Sequence, residues 1–220
     1  MDIVIYGIGD LAKLLTQYIN NSNSKHNSII AYTADKKYCI KNSAYGKPLI
    51  PFNDLSSIIS TSNTKILLAI GYKNMRIRKE AFDIIKSKGY SMASYVSESA
   101  HIDSSVKLGE NSIIFPGTII EPFCNIGDNN ILWSGATICH DCIIGDHNFI
   151  AANATLGGKT YLGNSCFIGF NATIIQQLEI TDETLIGAGS VVVSSTEPNT
   201  KYYGVPAKPI EKHISSGIMI

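Results

Sequence analysis

Two groups of residues in this chain have the types and spacing to do chemistry. The first is His140, with Asp141 directly after it and Gly158 eighteen positions on. An imidazole is well suited to take a proton from an amine or hydroxyl near neutral pH, and an adjacent carboxylate can orient it. A glycine held beside the ring would offer an unhindered N–H to a developing oxyanion. The second group lies in the first third of the chain. Gly7-Ile8-Gly9 follows an apolar run and precedes a helical pattern, a placement that aims backbone N–H groups at a phosphate. The third glycine of the dinucleotide fingerprint is missing. Asp35 is placed to bond a ribose, with Lys36 and Lys37 beside it, and Gly71 with Tyr72 closes the set.

A repeat positions the first group. Every sixth residue from Ile102 to Val192 is Ile, Leu or Val, sixteen positions without an insertion. Two residues before each stands a second column of mostly small side chains, among them Ala100, Ser112, Cys124, Ala136, Cys142 and Ala154. A six-residue period suits one short strand and one corner, and three such units close a triangular coil. The eighteen-residue superperiod shows in Gly109, Gly127, Gly145 and Gly163, and again in Gly117, Gly135, Asn153, Asn171 and Gly189. Glycine and asparagine enter the left-handed backbone region cheaply, as sharp corners demand. This is the pattern of hexapeptide-repeat proteins, a left-handed parallel β-helix over about 100–193. Coils stack at the sheet spacing of about 4.8 Å, so Gly158 is expected directly beyond His140 along the prism axis. His140, two positions after inward Ile138, is expected on the outside.

The second group sits on different architecture. Apolar strands at 3–9, 28–35, 65–71 and 91–96 alternate with helical patterns at 10–20, 53–60 and 73–88. A polar stretch, Asn20–Asn27, joins the first helix to the second strand, and a turn is expected around Tyr45–Pro51. Such alternation implies a small Rossmann-like parallel α/β sheet. Gly7, Gly9, Asp35, Lys36, Gly71 and Tyr72 then gather at the carboxyl edge of its strands, where open sheets bind ligands. The expected domains are 1–98, holding a nucleotide-bearing ligand, and 99–220, catalytic. At about half the usual size, the first domain does not suit a full NAD site.

Other readings of the same residues are weaker. His147 falls in the column of Asn111, Asn129, Ser165 and Glu183, a corner that tolerates polar residues, and reads as structural. Some β-helix trimers bind zinc through three converging histidines, but the spacing of His140 and His147 does not put them on one face. No metal is expected. The five cysteines read as reduced thiols, and Cys124 and Cys142 as small core residues. Lys plus Arg balances Asp plus Glu at 18 each, so no global field recruits nucleic acid or an anionic membrane. With no membrane-length apolar run and no signal-type start, a cytoplasmic location is expected.

With these motifs in place, the chain resembles the sugar acetyltransferases of the sialic-acid O-acetyltransferase and bacillosamine N-acetyltransferase type. The resemblance runs over nearly the whole length. It is carried by Gly7 and Gly9, by the segment Ala69–Gly71 before a basic helix, by HDCIIGD (140–146) and by GVPAK (204–208). It implies a homotrimer that uses acetyl-CoA, with His140 as general base, Asp141 as its acidic neighbour and Gly158 offering its N–H to the thioester. The coenzyme arm would run near Phe170, Ala188 and Gly189 between neighbouring subunits, with Lys208 meeting its phosphates. The α/β domain would hold the nucleotide of a nucleotide sugar. The chain departs from the family at Phe149, where a second histidine is frequent, and at Trp133, where asparagine is frequent. Trp133 is therefore expected to wall the acceptor pocket and favour a 6-deoxy sugar. The implied activity is N-acetylation of a nucleotide-linked 4-amino-4,6-dideoxyhexose, of viosamine type first, for surface polysaccharide (O-antigen) or glycan synthesis. Sialic acid O-acetylation and a non-catalytic β-helix scaffold are the alternatives.

Overall fold

The computed structural model describes residues 2–22 and 28–220; the expected polar connection through Asn27, with His26 in it, lies mostly outside them. The chain packs as two units: the chain up to Gly71 together with Glu80–Tyr95, and Tyr72–Lys79 together with Val96–Ile220.

In chain order the first part of the molecule comprises β1 (Asp2–Tyr6), α1 (Asp10–Asn21), β2 (Ser28–Ala34), β3 (Ser43–Ala44), β4 (Lys47–Pro51), α2 (Phe52–Ile58), β5 (Thr64–Leu68), α3 (Met75–Ser87) and β6 (Ser91–Met92). The strands form one sheet in the order β3-β4-β2-β1-β5-β6. Strand β1 pairs in parallel with both β2 and β5 and is buried from Ile3 to Tyr6. Burial on both faces is why it reads as a continuous apolar run rather than an alternation. Helix α1 buries Leu11, Leu15 and Ile19, spaced by four along one face. The expected turn near Tyr45 is the tip of an antiparallel hairpin, β3 with β4, in which Tyr45 and Gly46 take φ values of 45° and 78°. Two successive left-handed residues are what a tight two-residue hairpin turn requires.

The second unit is the left-handed parallel β-helix. Its two-residue strands stack in parallel with partners eighteen residues apart, as in Ile113, Ile131, Phe149, Phe167 and Leu185. Three sheets run along the prism, through Ile131–Leu132, Thr137–Ile138 and Ile143–Ile144 respectively. The inward aliphatic column is buried from Ile114 to Val192, while Leu108 in the open first coil is 36% exposed. Each fully buried aliphatic side chain contributes roughly 1.5–3 kcal/mol. The three corners each hold a column of left-handed residues: Asn111 to Glu183, Gly117 to Gly189, and Phe123, Asp141, Lys159 and Gln177.

Polar residues in the inward small column have structural work. Asn130 donates from Nδ2 to the carbonyls of Gly127 and Gly145, and its Oδ1 accepts the Asn148 N–H at 2.8 Å. Asn148 repeats the arrangement one coil on, donating to Gly145 O and accepting from Cys166 N–H. Corner amide and carbonyl groups that a prism would otherwise bury unpaired are satisfied in this way. At the far end, a hairpin of Thr200–Gly204 and Ala207–Lys212 extends the first sheet beyond Leu185.

Candidate active site

His140 sits on the corner between the second and third sheets, in the turn after Thr137–Ile138. Its side chain is 54% exposed, and its Nδ1 lies 2.8 Å from Asp141 Oδ2. Asp141 reaches this position through its left-handed backbone, φ 58°, which swings the carboxylate back against the preceding ring. Two contacts from the previous coil fix the backbone: Glu121 Oε2 accepts the His140 N–H at 2.8 Å, and Pro122 O accepts the Asp141 N–H at 3.1 Å. From the next coil, Lys159 N–H bonds the His140 carbonyl at 2.9 Å.

Gly158 lies directly under the imidazole. A β-carbon there would stand 2.7 Å from His140 Nε2 and 2.9 Å from its Cε1, so glycine lets the ring keep this position. Among the described residues its N–H has no hydrogen-bond partner, whereas its carbonyl accepts from Gln177 N–H. An imidazole with one nitrogen held by a carboxylate, its other nitrogen over a free backbone donor, can accept a proton while that donor meets an oxyanion.

The residues expected along the coenzyme form a separate cluster. Phe170 and Ala188 are exposed one coil apart on the corner between the first and second sheets, and Gly189 N–H bonds Phe170 O at 2.8 Å. The Tyr203 ring of the terminal hairpin lies against Gly187, where a side chain would collide with it. Lys208 stands opposite Tyr203 in that hairpin. The other hairpin lysines are paired, Lys201 with Glu211 and Lys212 with Glu197, both at 2.9 Å. Lys208 has no carboxylate among the described residues, which leaves it able to meet a phosphate. Within one chain, this cluster and His140 occupy different corners.

Within one chain, Trp133 stands at the corner of Phe170 and Ala188, not at that of His140. It starts the turn after Ile131–Leu132, and its ring packs between Phe115 at 4.3 Å and Phe149 at 5.6 Å. Phe149, 1% exposed, stacks on Phe167 and receives Tyr72 edge-on at 4.5 Å. Tyr72 thus closes an aromatic ladder on the outside of the first sheet. Sequence periodicity gave no sign that Tyr72–Lys79 would pack on the coils. Arg78 anchors this segment: fully buried, it donates to the carbonyls of Asn129, His147 and Asn148. Burial pulls its guanidinium down to about 9. Arg76 makes a bidentate pair with Glu183 and donates to the carbonyls of Ile214 and Ser215. His147 is buried with Nδ1 2.9 Å from Asn129 Nδ2, as a structural corner residue would be.

In the α/β unit, Gly7 has φ 126° and its α-carbon faces Ala69 O, which a β-carbon would approach to 2.8 Å. Its N–H is committed to Thr33 O at 2.8 Å and is not free for a phosphate. Gly9 caps α1, and Tyr45 Oη donates to Ile8 O at 2.7 Å across the turn. Tyr6 Oη donates to Asp35 Oδ1 at 2.7 Å; burial and this carboxylate push the phenol up. Asp35 leads into a short 3-10 turn, Lys36–Tyr38, with Lys37 Nζ 4.0 Å from its other oxygen. Lys36 is exposed and Gly71 half-buried. Glu121 and Phe123 at the His140 corner were not legible as site residues, because both stand one coil away from the motif that drew attention.

Among the described residues no cluster of three or more His, Cys, Asp or Glu side chains could hold a metal ion, and no helix is long and apolar enough to cross a membrane. The coils match the bacterial transferase hexapeptide (six repeats) family at residues 105–140 and 123–158. No curated protein matches the sequence significantly. Among solved structures, the chain is similar to PerB from Caulobacter crescentus, a perosamine N-acetyltransferase solved with CoA and GDP-perosamine. The two are 26% identical over 96% of this chain and 98% of that one, with a TM-score of 0.84. The acetyltransferase domain of PglB from Neisseria gonorrhoeae shares the fold at 23% identity, covering 95% and 99%, with a TM-score of 0.81. WeeI from Acinetobacter baumannii does so at 22%, covering 96% and 100%, with a TM-score of 0.81.

Proposed function

We propose that this chain, whose coils carry bacterial transferase hexapeptide repeats, is an acetyl-CoA-dependent N-acetyltransferase acting on the amino group of a nucleotide-linked amino sugar. The observation that carries the reading is the His140 corner: an exposed imidazole held by Asp141 at 2.8 Å, over a glycine whose missing β-carbon leaves the ring in that position. The likeness to PerB supports a nucleoside-diphosphate amino sugar as acceptor and CoA as the leaving group.

The sugar amine attacks the thioester carbonyl, forming the C–N bond while the oxyanion is met by the Gly158 N–H. His140 Nε2 takes the amine proton, its Nδ1–H held by Asp141. The intermediate collapses with cleavage of the C–S bond, and the imidazolium returns the proton to the departing thiolate. In this reading Lys208, Phe170, Ala188 and Gly189 hold the coenzyme. The α/β unit holds the nucleotide through Asp35, Lys36, Gly9 and Gly71. We assign the acceptor to the 4-amino-4,6-dideoxyhexoses, with viosamine-type sugars first, made for surface polysaccharide. The working form is a cytoplasmic homotrimer.

The test is thiol release from acetyl-CoA against a panel of nucleotide-linked 4-amino sugars and sialic acid. Release with an amino sugar and an amide product, lost in His140→Ala while CoA still binds, is the expected result. Release with sialic acid alone would assign O-acetylation instead. Silence across the panel would remove the enzymatic reading.

A further inference from the structure

Phe123 stands beside the proposed catalytic base in a conformation its side chain does not favour. Its φ is 66°, in the left-handed region that is an outlier for a bulky residue. The residue is 69% exposed, and among the described residues its ring has no aromatic partner. It occupies the same corner column as Asp141, one coil earlier, so it flanks the His140–Asp141 pair on the side opposite Gly158. The backbone that carries it is well held: Ser105 Oγ accepts the Phe123 N–H at 2.8 Å, and Asp103 Oδ1 holds Ser105. Pro122 O and Glu121 Oε2 tie the same loop to Asp141 and His140. The column continues as Lys159 and Gln177, so Phe123 is the one large apolar side chain in it among the described residues.

We propose that the Phe123 ring is the acceptor platform of the site, a specificity-determining residue that takes the C–H-rich face of a 6-deoxy amino sugar. The proposal rests on the N-acetyltransferase reading. The amine must reach Nε2, and an acceptor that comes to it along the corner from the preceding coil passes over Phe123. The face of an aromatic ring carries negative potential and packs against polarised C–H groups. A sugar with methyl at C6 covers the ring without burying a hydroxyl, whereas a 6-hydroxyl there would lose hydrogen bonds to water. Trp133, to which the family resemblance pointed as a pocket wall, has its ring stacked at another corner of the same chain.

The experiment compares wild type, Phe123→Asn and Phe123→Tyr with a 6-deoxy amino sugar and its 6-hydroxy counterpart, each nucleotide-linked. Asparagine tolerates the left-handed backbone, so Phe123→Asn is expected to fold and assemble as wild type does. Its acceptor KM rises about tenfold, its acetyl-CoA KM is unchanged, and its preference for the 6-deoxy sugar narrows. Phe123→Tyr keeps the wild-type preference. A Phe123→Asn variant with unaltered acceptor kinetics overturns the assignment. So does one whose acetyl-CoA KM rises equally, or whose subunits dissociate on light scattering, since the ring would then serve coenzyme or assembly. Wild-type silence with every amino sugar sinks the functional reading, and this assignment with it.

Discussion

Between His140 and Gly158 there is no spare volume. A methyl group at 158 would sit 2.7 Å from Nε2, inside van der Waals contact, so the ring must turn and its bond to Asp141 must stretch or break. Displacement of a reacting group by about 1 Å can cost on the order of 100-fold in rate. Gly158→Ala is therefore expected to lower acetyl transfer by about that factor. Because His140 is exposed and free to swing outward, the thermal midpoint should stay close to wild type; a melting scan beside a thiol-release assay separates the two effects. Asp141 invites a cleaner probe, because asparagine accepts the same left-handed backbone. Asp141→Asn keeps the corner but removes the charge that steadies an imidazolium. We expect kcat to fall at least about tenfold with both KM values little changed. A rate equal to wild type would show that the carboxylate orients nothing.

At the scale of the element, the coil is held as much by its polar interior as by its aliphatic column. Asn148 takes the Cys166 N–H at 2.7 Å and gives a bond to Gly145 O. Asn148→Ala removes both bonds and strands a buried amide, a loss of about 2–4 kcal/mol. It should show as a lower melting temperature at equal chain concentration, with the kinetics of the remaining folded enzyme unaltered. The aliphatic step of six made the prism readable from sequence, since each inward position must be apolar whatever its neighbours are. The same periodicity placed Gly158 against His140, because stacked coils put residues eighteen apart in contact. It could not place what packs outside the prism. Tyr72–Lys79 reads as the start of an ordinary helix, and nothing in its spacing announces that Arg78 will be buried among the coil carbonyls. Nor did it show at which corner of the chain Trp133 would stand. Seven residues from His140 is near in sequence, but it is more than one side of a triangle, so the two rings emerge at different corners.

At the scale of the whole molecule, that geometry bears on the number of chains a working site needs. His140, Asp141 and Gly158 stand on one corner; Phe170, Ala188, Gly189 and the hairpin of Lys208 gather at another, with the outward face of Thr137, Thr155 and Thr173 between them. In a cyclic trimer the contacts are heterologous, each chain presenting one surface to its neighbour's different surface. If the proposed trimer sets the corner assigned to the coenzyme against the His140 corner of the next chain, each site draws on two chains. The proposed trimer would then be a condition of catalysis, and this can be tested by complementation. His140→Ala lacks the proposed base, and Ala188→Arg blocks the exposed corner proposed for the coenzyme without touching the core. Each is expected to be inactive alone. In trimers formed at random from equal amounts of the two chains, a shared site is intact when one neighbour supplies the histidine and the other the open corner. About a quarter of sites meet that condition, so co-expressed chains should recover about that fraction of wild-type thiol release. If both corners served one site within a single chain, every site would carry one lesion or the other, and the mixed protein would stay inactive.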